Sequence, residues 1–191
     1  YELWESEEGA WYFTYNDQDI LFVDDDHPLS SDFGGKDRTA NEALGLMYDA
    51  AEDDGIILYT VKGYRSYGKQ YDLYRSYDVP DWAVKEGLSE HQTGLAFDID
   101  LMGVAGTMQD LSFEKTDAFS WLLDHCAEYG FIYRYPRGKE DVTGWFEPWH
   151  FRYVGVEHAA RIHELNIPLE DYLLIVRRER MLEILSGEGG D

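Results

Sequence analysis

Cysteine is almost absent from this 191-residue chain, in which Cys126 is the single example. One thiol cannot form an internal disulfide, so the fold does not require an oxidising compartment. Because Cys126 lies within an apolar helical pattern, we expect it to be a small core residue. Long apolar runs are also lacking, and no stretch is long enough to span a bilayer. No signal peptide is recognisable, but the chain starts at Tyr1 rather than Met, so this lack does not indicate the cytoplasm.

Basic residues are scarce as well. The chain has 16 Lys and Arg against 39 Asp and Glu, which gives a formal net charge of −23. Such a surface repels nucleic acid phosphates, so we expect no DNA or RNA partner. It also repels anionic membranes and wall polymers, and therefore indicates solubility rather than a partner. The length suits one domain, which we expect to be a monomer. Aromatic residues are plentiful, with 15 Tyr and 6 Trp, which fits a polar groove lined by rings as well as a core.

Two short stretches about fifty residues apart carry the residues suited to catalysis. The first is Ser89-Glu-His-Gln-Thr-Gly-Leu-Ala-Phe-Asp98, in which Gly94 allows a tight bend between His91 and Asp98. After the bend, apolar residues alternate with Ala96, Asp98 and Asp100, the period-2 pattern of a half-buried strand. Asp98 therefore shares a face with the small residue Ala96, where there is room for an ion.

The second stretch is Glu147-Pro-Trp-His150, which leads into the aromatic and β-branched strand pattern Trp149–Val154. Catalytic zinc takes three protein ligands and keeps a fourth position for water. Two histidines and Asp98 meet that number, which leaves Glu147 as a general base beside a zinc-bound water. Each residue alone is more often a surface carboxylate or a satisfied polar group, but four at these spacings favour a metal site.

The pattern S-x-H-x-x-G-x-A-x-D followed by E-P-W-H resembles the VanY-type zinc D-alanyl-D-alanine carboxypeptidases and the related L,D-carboxypeptidases of peptidoglycan. The similarity runs from about Phe22 to Leu173 and includes Gly63-Tyr-Arg-Ser66 and Phe151-Arg-Tyr-Val-Gly155. It implies a Zn2+ cofactor, peptidoglycan stem peptides as partners and an extracytoplasmic location, with any anchor outside this chain.

The resemblance also implies roles for individual residues. It places Arg65 in the active site, bound to the substrate carboxylate or to the oxyanion of the transition state. The structural alternative is an ion pair with one of the many surface carboxylates. It gives Gln70 a polar contact to the peptide stem, although an ordinary exposed helical glutamine is nearly as good an interpretation. Ser89 either orients its loop or bonds the substrate, and the residues leave this choice open.

Trp149 is expected to line the substrate site and to pack against His150, fixing its rotamer. The sequence departs from the family at two points. Lys62 stands where the family usually has a small residue, and the interval between Gly144 and Glu147 is one residue shorter than expected. A second cation near the groove and a changed groove rim are the expected consequences.

The secondary-structure pattern favours an α+β fold, since the elements alternate without regular β-α-β spacing. We expect one central antiparallel sheet flanked by helices, with the zinc site in an open groove. The domain plan is an acidic and aromatic extension over 1–20, a catalytic domain over 21–185 and a disordered tail over 186–191. The predicted strands and helices are the edge strand Trp11–Tyr15, strands Ile20–Val23, Ile56–Val61 and Phe131–Tyr135, a helix from Thr39 capped by Thr39 or Asn41, and helices Tyr67–Tyr77 and Phe113–Tyr129.

The expected function is removal of the C-terminal D-alanine from peptidoglycan stem peptides by a zinc carboxypeptidase with Glu147 as general base. Two alternatives keep the same metal site: an L,D-carboxypeptidase and a D-Ala-D-Ala dipeptidase. A third is a zinc-containing module that binds peptidoglycan without cutting it. The remaining histidines of the helical segments, His125, His158 and His163, are expected to be surface or packing residues.

Overall fold

The computed structural model describes residues 3–76, 83–103 and 110–186. These residues form an α+β domain with two antiparallel sheets and surrounding helices, which confirms the predicted fold class. The strands are β1 (Trp4–Glu5), β2 (Trp11–Tyr15), β3 (Gln18–Phe22), β4 (Leu58–Lys62), β5 (Ala96–Leu101), β6 (Phe131–Tyr135) and β7 (Glu147–Tyr153). The helices are α1 (Arg38–Asp53), α2 (Tyr67–Ser76), α3 (Asp117–His125), α4 (Glu140–Thr143), α5 (Val156–Leu165) and α6 (Leu169–Ser186).

The larger sheet has the strand order β4-β5-β7-β6, with each neighbouring pair antiparallel. Phe97 and Ile99 of β5 join Phe151 of β7 in a buried cluster with residues of α1 and α3. Since successive side chains of a strand point to opposite faces, Asp98 lies on the face away from this cluster. Helices α1 and α3 thus cover one face of the sheet, and polar residues such as Asp98 and His150 lie on the other.

A second sheet, of order β1-β2-β3, precedes the larger one in the chain. The prediction of an edge strand at Trp11–Tyr15 was wrong. This segment is β2, which pairs with β1 on one side and with β3 on the other and is therefore the central strand. Residues Asn16 and Asp17 have φ values of 51° and 58°, as the two-residue turn of a tight hairpin requires.

The sequence pattern placed the boundary between the N-terminal extension and the catalytic domain at residues 20 and 21. This position lies inside strand β3 of the hairpin formed by β2 and β3. Phe13 and Ile20 are buried in a second apolar cluster with Tyr172 and Val176 of α6. The hairpin therefore packs on the C-terminal helix, and the molecule has two antiparallel sheets where one was expected.

Helix boundaries differ from the prediction in two places. Helix α1 begins at Arg38 because the carboxylate of Asp37, rather than Thr39 or Asn41, accepts the hydrogen bond from Ala40 N at 2.8 Å. The predicted continuous helix Phe113–Tyr129 is divided into a 3-10 turn, α3 and a second 3-10 turn. The hydroxyl of Thr116 caps α3 by accepting from Phe119 N at 3.1 Å, which starts a new helix inside the predicted one.

Several predicted features lie outside the described residues: the break at Pro80–Trp82, residues 104–109 of the predicted loop and the tail from 187 onwards. The strand Phe131–Tyr135 is confirmed, and Gly130 precedes it with φ 83°. Among the described helices, none combines the length and the apolar composition needed to cross a membrane.

Candidate metal centre and substrate groove

Three elements bring the predicted metal ligands together. His91 lies in the 3-10 turn Glu90–Thr93, Asp98 in β5 and His150 in β7. The turn ends at Gly94, whose φ of 74° lies in the left-handed region, and a Cβ there would collide with the carbonyl oxygen of Gly35. Glycine is therefore required for the chain to leave the turn and enter β5.

The ligand atoms converge on one point. Asp98 Oδ1 lies 3.2 Å from His91 Nε2 and 3.1 Å from His150 Nδ1. One ligand atom from each of the three residues lies within 4.8 Å of the others, and all three side chains are buried. Two imidazole nitrogens and one carboxylate oxygen are a donor set typical of catalytic zinc, with a further coordination position left open.

The ring nitrogens that face away from this point have their own acceptors. His91 Nδ1 donates to the carbonyl oxygen of Gly63 at 2.9 Å, and His150 Nε2 donates to Glu90 Oε2 at 3.3 Å. His150 Nδ1 is buried, and no described residue offers it an aligned hydrogen bond. The residues thus fit a zinc ion bound by His91 Nε2, Asp98 and His150 Nδ1.

The electrostatics of the cluster favour a positive charge. Burial lowers the pKa of His150, but the neighbouring Asp98 and Glu90 carboxylates outweigh this effect and raise the pKa to about 9. Burial raises the pKa of Asp98, yet His91 and His150 reverse this and hold the pKa well below its usual range. Burial keeps the pKa of the His91 imidazole below its ordinary value. A neutral His91 is ready to act as a ligand.

Glu147 lies at the start of β7, beside the ligands but apart from the donor set. Its Oε2 is 3.4 Å from His150 Nδ1, and 30% of its side chain is exposed to the groove. Burial, together with the charges of Asp98 and Glu90, raises the pKa of Glu147, although His150 and Arg65 partly oppose this. A raised pKa makes the carboxylate a better proton acceptor near neutral pH.

Arg65 follows β4 and lines the groove. Its Nη2 donates to Ser89 Oγ at 3.2 Å, and its backbone N donates to the carbonyl oxygen of His91 at 3.0 Å. Ser89 therefore orients the guanidinium, and both residues are tied to the turn that carries the first metal ligand.

Gln70 and Trp149 also line the groove. Gln70 is 1% exposed, so the interpretation as an ordinary exposed helical glutamine was wrong. Its Nε2 donates to the carbonyl oxygen of Val84 at 2.5 Å, whereas its buried Oε1 has no hydrogen-bond partner among the residues that the structure describes. Trp149 is partly buried and packs against the apolar cluster beneath the sheet.

The groove has a volume of about 350 Å³, within the size range of small-molecule sites. Among the groove residues that sequence reasoning missed are Glu90, Arg134, Tyr135 and Glu170. The ring of Tyr135 lies 4.8 Å from that of His150. Of these residues, Arg134 could have been identified from the sequence, because an arginine within an aromatic strand pattern indicates a buried charged partner.

The fold and the site define an α+β domain in which two histidines and an aspartate that could hold a metal ion line a groove. Residues 36–156 match the family model described as VanY, D-alanyl-D-alanine carboxypeptidase. A D-alanyl-D-alanine carboxypeptidase of Enterococcus faecalis is 35% identical over 144 residues, which cover 66% of this chain and 51% of that protein. The chain spans about half the length of the curated relatives it matches.

Solved structures agree with this match. The LdcB LD-carboxypeptidase superposes with a TM-score of 0.75 at 37% identity, covering 88% of this chain and 92% of that one. A variant of the vancomycin-resistance D,D-pentapeptidase VanY in complex with Zn(II) has a TM-score of 0.65 at 31% identity, covering 80% and 97%. The chain belongs to the VanY D-alanyl-D-alanine carboxypeptidase family.

Proposed function

We propose that this chain is a zinc carboxypeptidase that removes the C-terminal D-alanine from peptidoglycan stem peptides. The observation that carries the proposal is the convergence of His91, Asp98 and His150, with the Glu147 carboxylate 3.4 Å from His150 Nδ1 on the wall of the same groove. The D,D-carboxypeptidase names of family relatives and the Zn(II) complex of the VanY variant support it.

His91 Nε2, an oxygen of Asp98 and His150 Nδ1 hold the zinc ion in this proposal. Zinc, when bound, supplies a Lewis acid that polarises a carbonyl group and makes water acidic near neutral pH. The Gly63 carbonyl oxygen accepts from His91 Nδ1, which keeps this imidazole ring turned toward the ion.

Glu147 moves the proton. Its carboxylate takes a proton from the attacking water as the new C–O bond forms at the scissile carbonyl carbon. It then gives that proton to the amine of the departing D-alanine as the C–N bond breaks. Its position at the groove wall, partly exposed beside His150, gives it access to both water and substrate.

Arg65 donates hydrogen bonds to negative charge, either on the C-terminal carboxylate of the substrate or on the carbonyl oxygen in the transition state. The bond to Ser89 Oγ orients the guanidinium for this role. The Oε1 of Gln70, which lacks a partner within the described part of the chain, is an acceptor for a peptide N–H of the stem, and Trp149 contributes a wall of the groove.

An L,D-carboxypeptidase acting on the shorter tetrapeptide stem is the second candidate, supported by the 37% identity to the LdcB LD-carboxypeptidase. Both candidates use the same metal site and differ in the walls of the groove, where Lys62 adds a cation. A binding module without catalysis is disfavoured, because a structural zinc site is normally closed by four protein ligands. Action on cell-wall peptides places the protein outside the cytoplasm, and we propose that it acts as a monomer.

The test is mass spectrometry of pentapeptide and tetrapeptide stems after incubation with zinc-loaded protein, with an EDTA-treated sample as control. Loss of one alanine from the pentapeptide identifies D,D activity, and loss from the tetrapeptide identifies L,D activity. EDTA is expected to abolish either reaction. Intact stems despite stoichiometric zinc would overturn the proposal.

A further inference from the structure

One buried acidic side chain beside the metal centre has no part in the mechanism above. Glu90 is 3% exposed and lies directly behind His150, on the side opposite Asp98. We propose that Glu90 is a positioning residue: it holds the His150 ring with Nε2 protonated and Nδ1 turned toward the metal. This inference rests on the proposed zinc site, although it does not depend on which peptide is cleaved.

The contacts of His150 support this assignment. Its Nδ1 lies 3.1 Å from Asp98 Oδ1, whereas its Nε2 lies 3.3 Å from Glu90 Oε2. A carboxylate is an acceptor only, so it selects the tautomer whose Nε2 carries the proton. That tautomer leaves the lone pair of Nδ1 for the ion. A ligand histidine that donates its other N–H to a carboxylate is a more basic and better oriented ligand.

Two arginines hold Glu90 in place. Its Oε1 accepts from Arg134 Nε at 2.9 Å and lies 2.9 Å from Arg152 Nη1. Both arginine side chains are almost fully buried, at 2% and 0% exposure. With Oε1 occupied by two guanidinium groups, Oε2 is left to face His150. A buried carboxylate fixed in this way has little freedom to rotate away from the imidazole.

The arginines are themselves anchored to distant parts of the chain. Arg134 donates from Nη1 and Nη2 to Glu170 at 3.0 and 2.6 Å, in the first turn of α6. Arg152 donates from Nη2 to the carbonyl oxygen of Leu21 in β3 at 2.7 Å. Glu90 is thus fixed from the C-terminal helix on one side and from the N-terminal sheet on the other.

The experiment compares the full chain with the variants Glu90→Leu, Glu90→Gln and Glu179→Gln. Zinc affinity is measured by competition with a chromogenic chelator. The protonated nitrogen of His150 is identified by NMR of zinc-loaded protein carrying 15N-histidine. Glu179→Gln is the matched control, because it removes the charge of an ion-paired carboxylate that bonds Arg161 and Tyr15, away from the groove.

For Glu90→Leu we expect zinc affinity to fall about 10- to 100-fold and the protonated Nε2 signal of His150 to weaken or exchange. Glu90→Gln retains an acceptor oxygen without the charge and should lose less affinity, with a shifted Nε2 proton signal. Glu179→Gln should keep zinc affinity within about threefold of the parent, since Glu90 and both of its arginines are unchanged.

Unchanged zinc affinity and an unchanged His150 signal in Glu90→Leu would overturn the inference. An equal loss in Glu179→Gln would overturn it too, because it would indicate general destabilisation. Should Glu90→Leu fail to fold because Arg134 and Arg152 lose this buried carboxylate, Glu90→Gln decides by the same two measurements. If zinc binding depends on Glu90 but the protein leaves stem peptides intact, the proposed function is refuted and the inference about Glu90 stands.

Discussion

Asp98 and His150 stand directly opposite each other on the adjacent antiparallel strands β5 and β7. The register of this strand pair therefore sets the distance between two of the three metal ligands. Because a slip of one residue turns every side chain of a strand to the other face, it would place one ligand in the apolar cluster. Buried aromatic residues such as Phe97 and Phe151, also paired across these strands, hold the register.

Replacing Glu147 by Ala or Gln should abolish turnover while leaving zinc bound. Loss of a positioned general base typically lowers kcat by about 10²- to 10⁴-fold. Glu147 is outside the three-ligand donor set, so zinc stoichiometry measured by atomic emission should stay at the value of the parent protein. Near-native kcat in Glu147→Gln would show that another group takes the proton.

Replacing Arg65 by Lys should lower kcat/KM by about 10²-fold or more, the usual effect of losing one donor to a developing oxyanion. Lysine keeps the charge but lacks the planar pair of donors. The matched control is Arg38→Lys, at a side chain that is 90% exposed and pairs with Glu42 on the helix surface. If both variants retain the kinetics of the parent on stem peptides, Arg65 serves the fold and not the substrate.

Gly94 and Gly45 should respond oppositely to substitution by Ala. At Gly94 the left-handed φ of 74° and the collision with the Gly35 carbonyl should cost about 1–3 kcal/mol and weaken zinc binding. Gly45 is exposed within α1 and has open space around its Cα, so Ala should stabilise the protein by up to about 1 kcal/mol. Denaturant unfolding measures both effects, and a neutral Gly94→Ala would contradict the required turn geometry.

His158 should make the protein less stable in acid. It is buried, and its ring meets the hydroxyl group of Tyr172 at 2.8 Å. Burial lowers the pKa of this imidazole below its unfolded value of about 6.5. The neutral form is therefore favoured by folding, and its contribution is complete above about pH 6.5. This stabilisation is lost as the pH falls from about 6.5 through the pKa of His158 in the folded state, because the unfolded state binds a proton at His158 before the folded state does.

The measurement is the free energy of unfolding of the parent and of His158→Phe between pH 8 and 5, at constant free zinc. The advantage of the parent should shrink as pH falls. His163→Phe, at an exposed position on the same helix, should leave the pH profile of the parent unchanged. A parent and a His158→Phe variant with parallel profiles would show that His158 does not titrate in this way.

Much of the fold followed from local patterns in the sequence. The strand at Phe131–Tyr135 and the α+β class are confirmed, because alternating apolar residues identify a strand wherever its partners lie. The break of the predicted helix at Thr116 was missed because apolar spacing continues across it. Only the capping hydroxyl, bonded to Phe119 N, shows that a new helix begins.

The sequence by itself determined the family and the residue types of a zinc site, since both motifs are short and their spacing is local. Tertiary structure alone decided that Gln70 is buried, that β2 is a central strand and that Glu90 stands behind His150. Glu90 meets Arg134 across 44 residues of chain, and its second arginine lies further on still. The linear pattern indicates that Arg134 needs a buried partner but does not identify Glu90, because folding alone brings these distant charges close enough to offset the cost of burial.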